Sequence, residues 1–385
     1  RPLLRYDFAD EWNNLGFGRL EADGGPWSIA AGIEAAGTVP LAVIDDARDG
    51  DVTLYAAVHD LRSAAALWFN RPVGPVDSLE WRVVESFFSD YRADELTSFP
   101  RLAEIPRGFR GGAVMRLDCD EAISAAGPLW HYYRERGMPL SLAVLTGQPT
   151  TAADEELLAE VVAGGGSVVS HSVHHFPNWG GSYHVALDEA EASRDWLEAH
   201  VPAAAPVEYA VSPFHQNPAY AVQALADSGY QGFVGGIIAN DPEYLLGRAG
   251  RVPFAQPHVV SHSAQCMLHG DCYQRYGNRI DPYLQSFELH LAGEALFGYL
   301  DHPFSARYQY GWLDEEERIG AHALLLDRLL CEPDLWRPNL VELLQYLSRR
   351  NRCRIGVDDG GRLVADLVAG TVIPSVCWQG KTDVA

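Results

Sequence analysis

From Gly111 to about Arg350 the chain alternates short apolar runs with amphipathic stretches, and this rhythm restricts the fold more than any other property of the sequence. The runs AVMRLD (Ala113–Asp118), PLSLAVL (Pro139–Leu145), SVVSHS (Ser167–Ser172), VEYAVS (Val207–Ser212), GFVGGII (Gly232–Ile238) and ALFGYLD (Ala295–Asp301) have the length and composition of strands. Ala122–Arg136, Ala153–Ala163, Asp188–Ala199 and Ala219–Ser228 have the spacing of helices. Strands alternating with helices form βαβ units, so residues 109–350 are expected to build an α/β fold, a distorted (β/α) barrel or parallel sheet. In such barrels chemistry gathers at the C-terminal ends of the strands.

Residues 1–108 have a different texture. Alternating runs TVPLAVI (Thr38–Ile44) and VTLYAAV (Val52–Val58), with turn signals at Asp23-Gly24-Gly25 and Asp49-Gly50, predict a β-rich accessory module. One helix is expected there, opened by a capping box of Asp77 and Glu80, with Leu79, Val83, Val84, Phe87 and Phe88 as its apolar stripe. After a last helix near Leu340–Arg349, residues 351–385 look strand-like (RIGV, RLVADLV) and are expected to return to the first module.

The formal net charge of −23 over 385 residues argues against a nucleic-acid partner, since a phosphate backbone demands Lys and Arg. No apolar run is long enough to cross a bilayer, and no charged-then-apolar leader follows Arg1, so neither a membrane span nor a signal peptide is expected in this sequence. Six cysteines do not make a disulfide scaffold; Cys266 and Cys272 are either a bridge or free thiols, and Cys-x5-Cys is an uncommon zinc spacing.

Two segments carry chemistry. In MRLDCDE, strand alternation puts Asp118 and Asp120 on one face and Cys119 on the other. Adjacent carboxylates resist ionising together unless a cation lies between them, so one is expected to ligate a metal and the other to stay free as a base. The competing reading is that Asp120 caps a helix beginning at Glu121. In His171-Ser172-Val173-His174-His175, His171 and His175 share a face if the segment makes one helical turn, and His174, which shares it less well with His175, is the weaker candidate ligand. Two imidazoles and a carboxylate, Asp120, make a zinc-type set that leaves a position for water.

An acidic pair ending one strand, followed by His-Ser-x-x-His ending a later one, resembles the NodB-homology polysaccharide deacetylases, carbohydrate esterase family 4 and its relatives. The split acidic pair also resembles the deacetylase domain of Pel-type exopolysaccharide proteins. The resemblance implies a NodB-type barrel with Asp118 as catalytic base, and Asp120, His171 and His175 as ligands of Zn2+ or another transition dication such as Co2+ or Ni2+. The family's Arg-x-Pro-Tyr motif corresponds to Val211-Ser212-Pro213-Phe214, so Phe214 inherits an oxyanion-binding backbone N–H while the arginine is lost. Arg116, one pleat from Asp118, is the candidate replacement, against the alternative that it pairs at the surface. The Leu-x-His motif is matched by Leu300-Asp301-His302, which makes His302 the general acid; Leu289-His290 is a rival in a helical segment.

The activity so implied is metal-dependent removal of N-acetyl groups from a hexosamine-containing polysaccharide or oligosaccharide, in a periplasmic or extracellular setting. Trp179, in PNWGGSYH, is a candidate sugar-stacking wall of the groove, with Tyr183, Tyr308, Tyr310 and Trp312 also close behind the motifs, against the alternative that aromatics after a strand pack in the core. Two other readings stand beside this one: a glycoside hydrolase using Asp118, and a non-catalytic carbohydrate-binding module on a degenerate barrel.

Overall fold

The computed structural model describes residues 33–45, 50–71, 73, 78–235, 250–252, 255–262, 266–305 and 308–379. The expected capping residue Asp77, the turn signals at Asp23-Gly24-Gly25 and Asp49, and the end of the Gly232–Ile238 run lie outside these residues.

Strands β1 (Val39–Asp45), β2 (Val52–Leu61) and β3 (Ala64–Phe69) form an antiparallel sheet in that order, followed by helix α1 (Ser78–Ser89). Strand β4 (Arg101–Pro106) leaves this sheet and pairs with β17 (Pro374–Cys377) near the other end of the chain. The strand-like tail therefore does return, but through β17. The RIGV and RLVADLV runs pair with each other as β15 (Arg354–Val357) and β16 (Leu363–Asp366).

The central sheet contains β5 (Gly111–Cys119), β6 (Ser141–Val144), β7 (Ser167–Ser170), β8 (Tyr209–Val211), β9 (Gly232–Val234), β10 (Gly250–Arg251), β11 (Val260–His262), β12 (Cys266–Met267), β13 (Leu296–Asp301) and β14 (Leu335–Trp336). Its order is β10-β11-β9-β8-β7-β6-β5-β13-β12, with β14 beside the start of β5. Every pairing from β11 to β12 is parallel, and only β10 runs against its neighbour. Among the described residues β11 and β12 form no ladder with each other, so the sheet is open there. The crossovers carry α2 (Gly127–Glu135), α3 (Ala152–Ala163), α4 (Tyr183–His200) and α5 (Ala219–Asp227), then α6 (Gly270–Arg275), α7 (Asp281–Ala292), α8 (Glu315–Leu330) and α9 (Leu340–Arg352). No helix among the described residues is long and apolar enough to cross a membrane.

Strand alternation divides the core in two. Met115, Leu117 and Cys119 of β5, Leu142 and Val144 of β6 and Val168 of β7 pack outward with Trp130, Leu158, Leu197 and Leu325 from the surrounding helices. The alternate residues Val114, Ala143, Val169, Val211, Val234 and Val260 face the other way and pack on Leu340, Leu343, Leu344 and Leu347 of α9. One helix can meet the inner faces of strands from β5 to β11 only if the sheet curves around it, so α9 fills the hollow at the strands' N-terminal end. Each Val or Leu among them contributes about 1.5–3 kcal/mol when fully buried. The helix starts sharply at Asn339, whose side chain accepts the Glu342 amide while Glu342 accepts the Asn339 amide. The space beyond α9, toward the C-terminal strand ends, is left for polar groups.

No disulfide joins any of the described cysteines; Cys266 lies on β12 and Cys272 on α6.

Candidate metal and catalytic site

Along β5 the inward positions are Val114, Arg116 and Asp118, so an apolar floor gives way to a charged pair one pleat at a time. The Arg116 guanidinium donates from Nε to Asp118 Oδ1 at 2.8 Å and from Nη2 to Oδ2 at 3.2 Å. Arg116 is therefore not a surface cation: both partners are buried, Asp118 being only 1% exposed. Burial pushes the Asp118 carboxyl up, but Arg116, His171 and His302 outweigh it and hold the group well below the usual carboxylate range. Asp120 lies just past the strand. The following 3-10 turn, Ile123–Ala126, is capped by Ala122 without a side-chain bond, so Asp120 is not a helix cap. Burial opposes its charge too, yet His171, His302 and His175 bring its carboxyl down to about 2.

His171 follows β7, but the expected helical turn to His175 is not formed. Ser172 and His175 have φ of 68° and 54°, and the segment is a loop. Local side chains take its amides from a helical ladder: Ser170 Oγ accepts Ser172 N at 3.2 Å, Ser172 Oγ accepts His175 N at 3.1 Å, and Glu189 accepts the two amides between. The loop nevertheless brings the two imidazoles together, with their Nε2 atoms 3.1 Å apart. His171 Nδ1 is 2.9 Å from the Val211 carbonyl, which only accepts, so Nδ1 carries the proton and Nε2 turns a lone pair to the site. Asp120 Oδ1 lies 3.2 Å from His171 Nε2 and 3.7 Å from His175 Nε2. That oxygen is buried without a hydrogen-bond partner.

Burial and the neighbouring His171 push His175 down to about 4, so it is neutral at ordinary pH. Burial also opposes the charge on His171, but Asp120 and Asp118 raise it. Lone pairs on two nitrogens and a carboxylate oxygen facing one point repel unless a positive charge stands among them. The orphaned Asp120 Oδ1 and the converging nitrogens thus fit a divalent transition ion in chemistry and in number. His174 is not part of this set; its Nδ1 turns to Glu189 Oε1 at 2.6 Å.

His302 comes from the end of β13, with Nε2 at 3.5 Å from Asp120 Oδ2. Its Nδ1 is 2.5 Å from Nε2 of His269, and the Tyr310 ring stacks on it at 4.4 Å between centroids. His269 was missed in the sequence, where its segment drew attention only for Cys266 and Cys272. The signal available was position: His269 stands two residues beyond β12, as His171 stands one beyond β7. Burial, reinforced by His302, lowers His269 to about 3.

His269, Asp301 and His302 are also close enough to suggest a second ion. The Asp301 oxygens are already taken, however, by Arg318 Nε at 2.8 Å, His322 Nε2 at 3.1 Å, His302 N at 2.8 Å and Trp312 Nε1 at 3.4 Å. That carboxylate braces β13 against α8 instead. The rival His290 is buried on α7 and bonded to Ser286 O at 2.7 Å, away from this cleft.

Phe214 is 41% exposed and lies against the His175 ring at 4.5 Å. It and His215 both have positive φ, 51° and 56°, which bends the chain sharply at the mouth of the cleft. Burial with Arg116 nearby brings His215 down to about 3. Trp179 corrects the sequence reading: it is 1% exposed, packed in the outer core, and does not line the cleft. The left-handed turn at Asn178 and Trp179 folds the indole inward, where its large apolar surface has more to gain than at a wet groove. The aromatic wall is formed instead by Phe214, Tyr308 and Tyr310. Tyr308 is hydrogen-bonded to Asp271, which raises it to about 12. The whole cleft measures about 580 Å³.

No family profile and no curated protein matches the sequence. Similar solved structures include a candidate polysaccharide deacetylase from Mycobacterium smegmatis, 12% identical, covering 63% of this chain and 92% of that one, with a TM-score of 0.48. Another is a family 4 carbohydrate esterase from Streptomyces lividans in complex with acetate, 13% identical, covering 60% and 92%, with a TM-score of 0.38. A third is a family 4 pseudoenzyme from Bacillus anthracis, 13% identical, covering 62% and 66%, with a TM-score of 0.40.

Proposed function

We propose that this protein is a metal-dependent hydrolase that removes N-acetyl groups from a hexosamine-containing polysaccharide. The observation that carries the reading is the convergence of Asp120 Oδ1 with the Nε2 atoms of His171 and His175 beside a second carboxylate, Asp118, that is held apart by Arg116. Asp120, His171 and His175 would hold the ion, and zinc suits a His2Asp set. A bound dication supplies positive charge that polarises an amide carbonyl and acidifies water beside it.

The remaining work falls to the chain. Asp118 is ionised at neutral pH because Arg116 keeps it so, and its carboxylate takes the proton of the attacking water. The Phe214 backbone N–H, in the motif position, donates to the developing oxyanion, a contact of this kind being worth roughly 3 kcal/mol. His302, its Nδ1 engaged by His269, turns Nε2 to the cleft and gives its proton to the departing amine. The exposed Phe214 ring with Tyr308 and Tyr310 offers sugar-stacking surface. A polymeric substrate goes with a periplasmic or extracellular location.

The test joins metal analysis of the purified protein to acetate release from N-acetylglucosamine oligomers. His171→Ala is expected to lose the ion, and Asp118→Asn to keep it and release no acetate. Undiminished turnover in Asp118→Asn removes that residue as base. Sugar binding without acetate release by the wild type leaves the non-catalytic reading in its place.

A further inference from the structure

Glu189 breaks the pattern of its own helix. On α4 the residues facing the core are Ala186, Ala190, Ser193 and Leu197, and Glu189 shares their face at 5% exposure. A carboxylate buried there is costly unless its oxygens are filled. They are filled by the loop between the two site histidines: Oε2 accepts Val173 N and His174 N, both at 2.9 Å, and Oε1 meets His174 Nδ1 at 2.6 Å. The loop's carbonyls are held from the other side, where Thr146 N donates to Ser172 O at 3.1 Å and Gly147 N to Val173 O at 2.9 Å. The approach at Gly147 is so close that a Cβ there would lie 2.2 Å from Val173 O.

We propose that Glu189 is the positioning residue of the ion site: its carboxylate fixes the loop that sets His171 and His175 at a common point. This inference rests on the reading of Asp120, His171 and His175 as metal ligands. The loop needs such a clamp because it has no helical ladder of its own, and Ser172 and His175 are in the left-handed region. One carboxylate oxygen accepting two successive amides holds that bend with charge-assisted bonds, roughly twice as strong as those a neutral Gln oxygen would make in its place, and Gln would turn its NH2 toward His174 Nδ1. The groups that orient ligands commonly alter metal affinity by ten- to a hundred-fold.

The experiment measures zinc affinity by chelator competition, with amide hydrogen exchange at Val173 and His174, in wild type, Glu189→Gln and Gly147→Ala. Glu189→Gln is expected to weaken zinc binding about ten-fold or more. Its metal-free circular dichroism should stay unchanged, and exchange should quicken at those two amides. Gly147→Ala, which pushes the same loop without touching the buried charge, is expected to weaken zinc in the same direction. Wild-type zinc affinity in Glu189→Gln overturns the proposal. If Glu189→Gln fails to fold, Gly147→Ala decides, and unaltered affinity in that variant overturns it. If the wild type itself takes up no zinc, the metal reading fails first. Exchange then decides for the clamp alone, and unchanged protection in Glu189→Gln rejects it.

Discussion

Arg116 and Asp118, two residues apart on one strand, are joined through two hydrogen bonds at 2.8 and 3.2 Å, so a neighbour in sequence supplies the cation that holds the candidate base. Lysine at 116 would keep the charge but not the fork. We expect Arg116→Lys to bind zinc as the wild type does and to lose at least ten-fold in kcat for acetate release. Arg116→Met leaves Asp118 buried and unpaired, and should lower unfolding free energy by about 3–5 kcal/mol in urea titrations. Wild-type stability in Arg116→Met would mean that the carboxylate has found another partner.

His269 lines the cleft beside His302, its Nε2 lying 2.5 Å from Nδ1 of that ring. Removing it in His269→Ala should leave zinc content and KM near wild type while kcat falls by about ten- to a hundred-fold, a part of the roughly hundred- to ten-thousand-fold that acid–base assistance supplies. Equal losses in KM and zinc content would assign it a role in building the cleft rather than in setting the ring of His302.

Acid should destabilise the fold from a higher pH than its carboxylates alone require. His215 is brought to about 3 in the folded chain, against about 6.5 when unfolded. Below pH 6.5 the unfolded state therefore binds the extra proton, and stability falls as pH drops toward 3. For His215 this amounts to roughly 2 kcal/mol by pH 5. Burial lowers His290 and His322 as well, which adds in the same direction. Above pH 6.5 these groups contribute no slope. Urea midpoints measured at pH 7.5, 6 and 5 test this, and a flat profile across that range contradicts it.

Trp179→Ala should act on stability and not on substrate. Emptying a fully buried indole site costs about 3–5 kcal/mol. Mutation of Phe214 to Ala, on the exposed wall, should instead raise KM with little change in the melting temperature. The two variants together separate the packed aromatic from the wet one.

This last contrast marks where sequence reading reached its limit. The alternation of apolar runs was enough to locate the parallel sheet, because a strand buried on both faces has to be apolar along its length. It also placed Asp118, Asp120, His171, His175 and His302 at strand ends, where the fold gathers them. The path of the His171–His175 loop was not legible, since it depends on Glu189, fourteen residues past His175, and on Thr146 and Gly147 from another strand end. Trp179 was misjudged because a loop aromatic can turn either way, and the left-handed turn that folds it inward leaves no mark in hydrophobic periodicity. His269 went unnoticed because β12 has only two residues, too few to reveal a period.

The pairing of β4 with β17 ties the beginning and the end of the barrel segment into a seam, reinforced by Arg350, whose guanidinium donates to the carbonyls of Leu102 and Ala103. Anyone trimming this chain to its αβ repeat would unzip that seam. A fragment running from 109 to 350 would lack both strands, strip Arg350 of its acceptors and lose Ile105, which packs beside α9 under the same floor that carries Arg116. The α/β segment is best isolated with its last thirty-odd residues still attached and with the stretch before 109 that receives them.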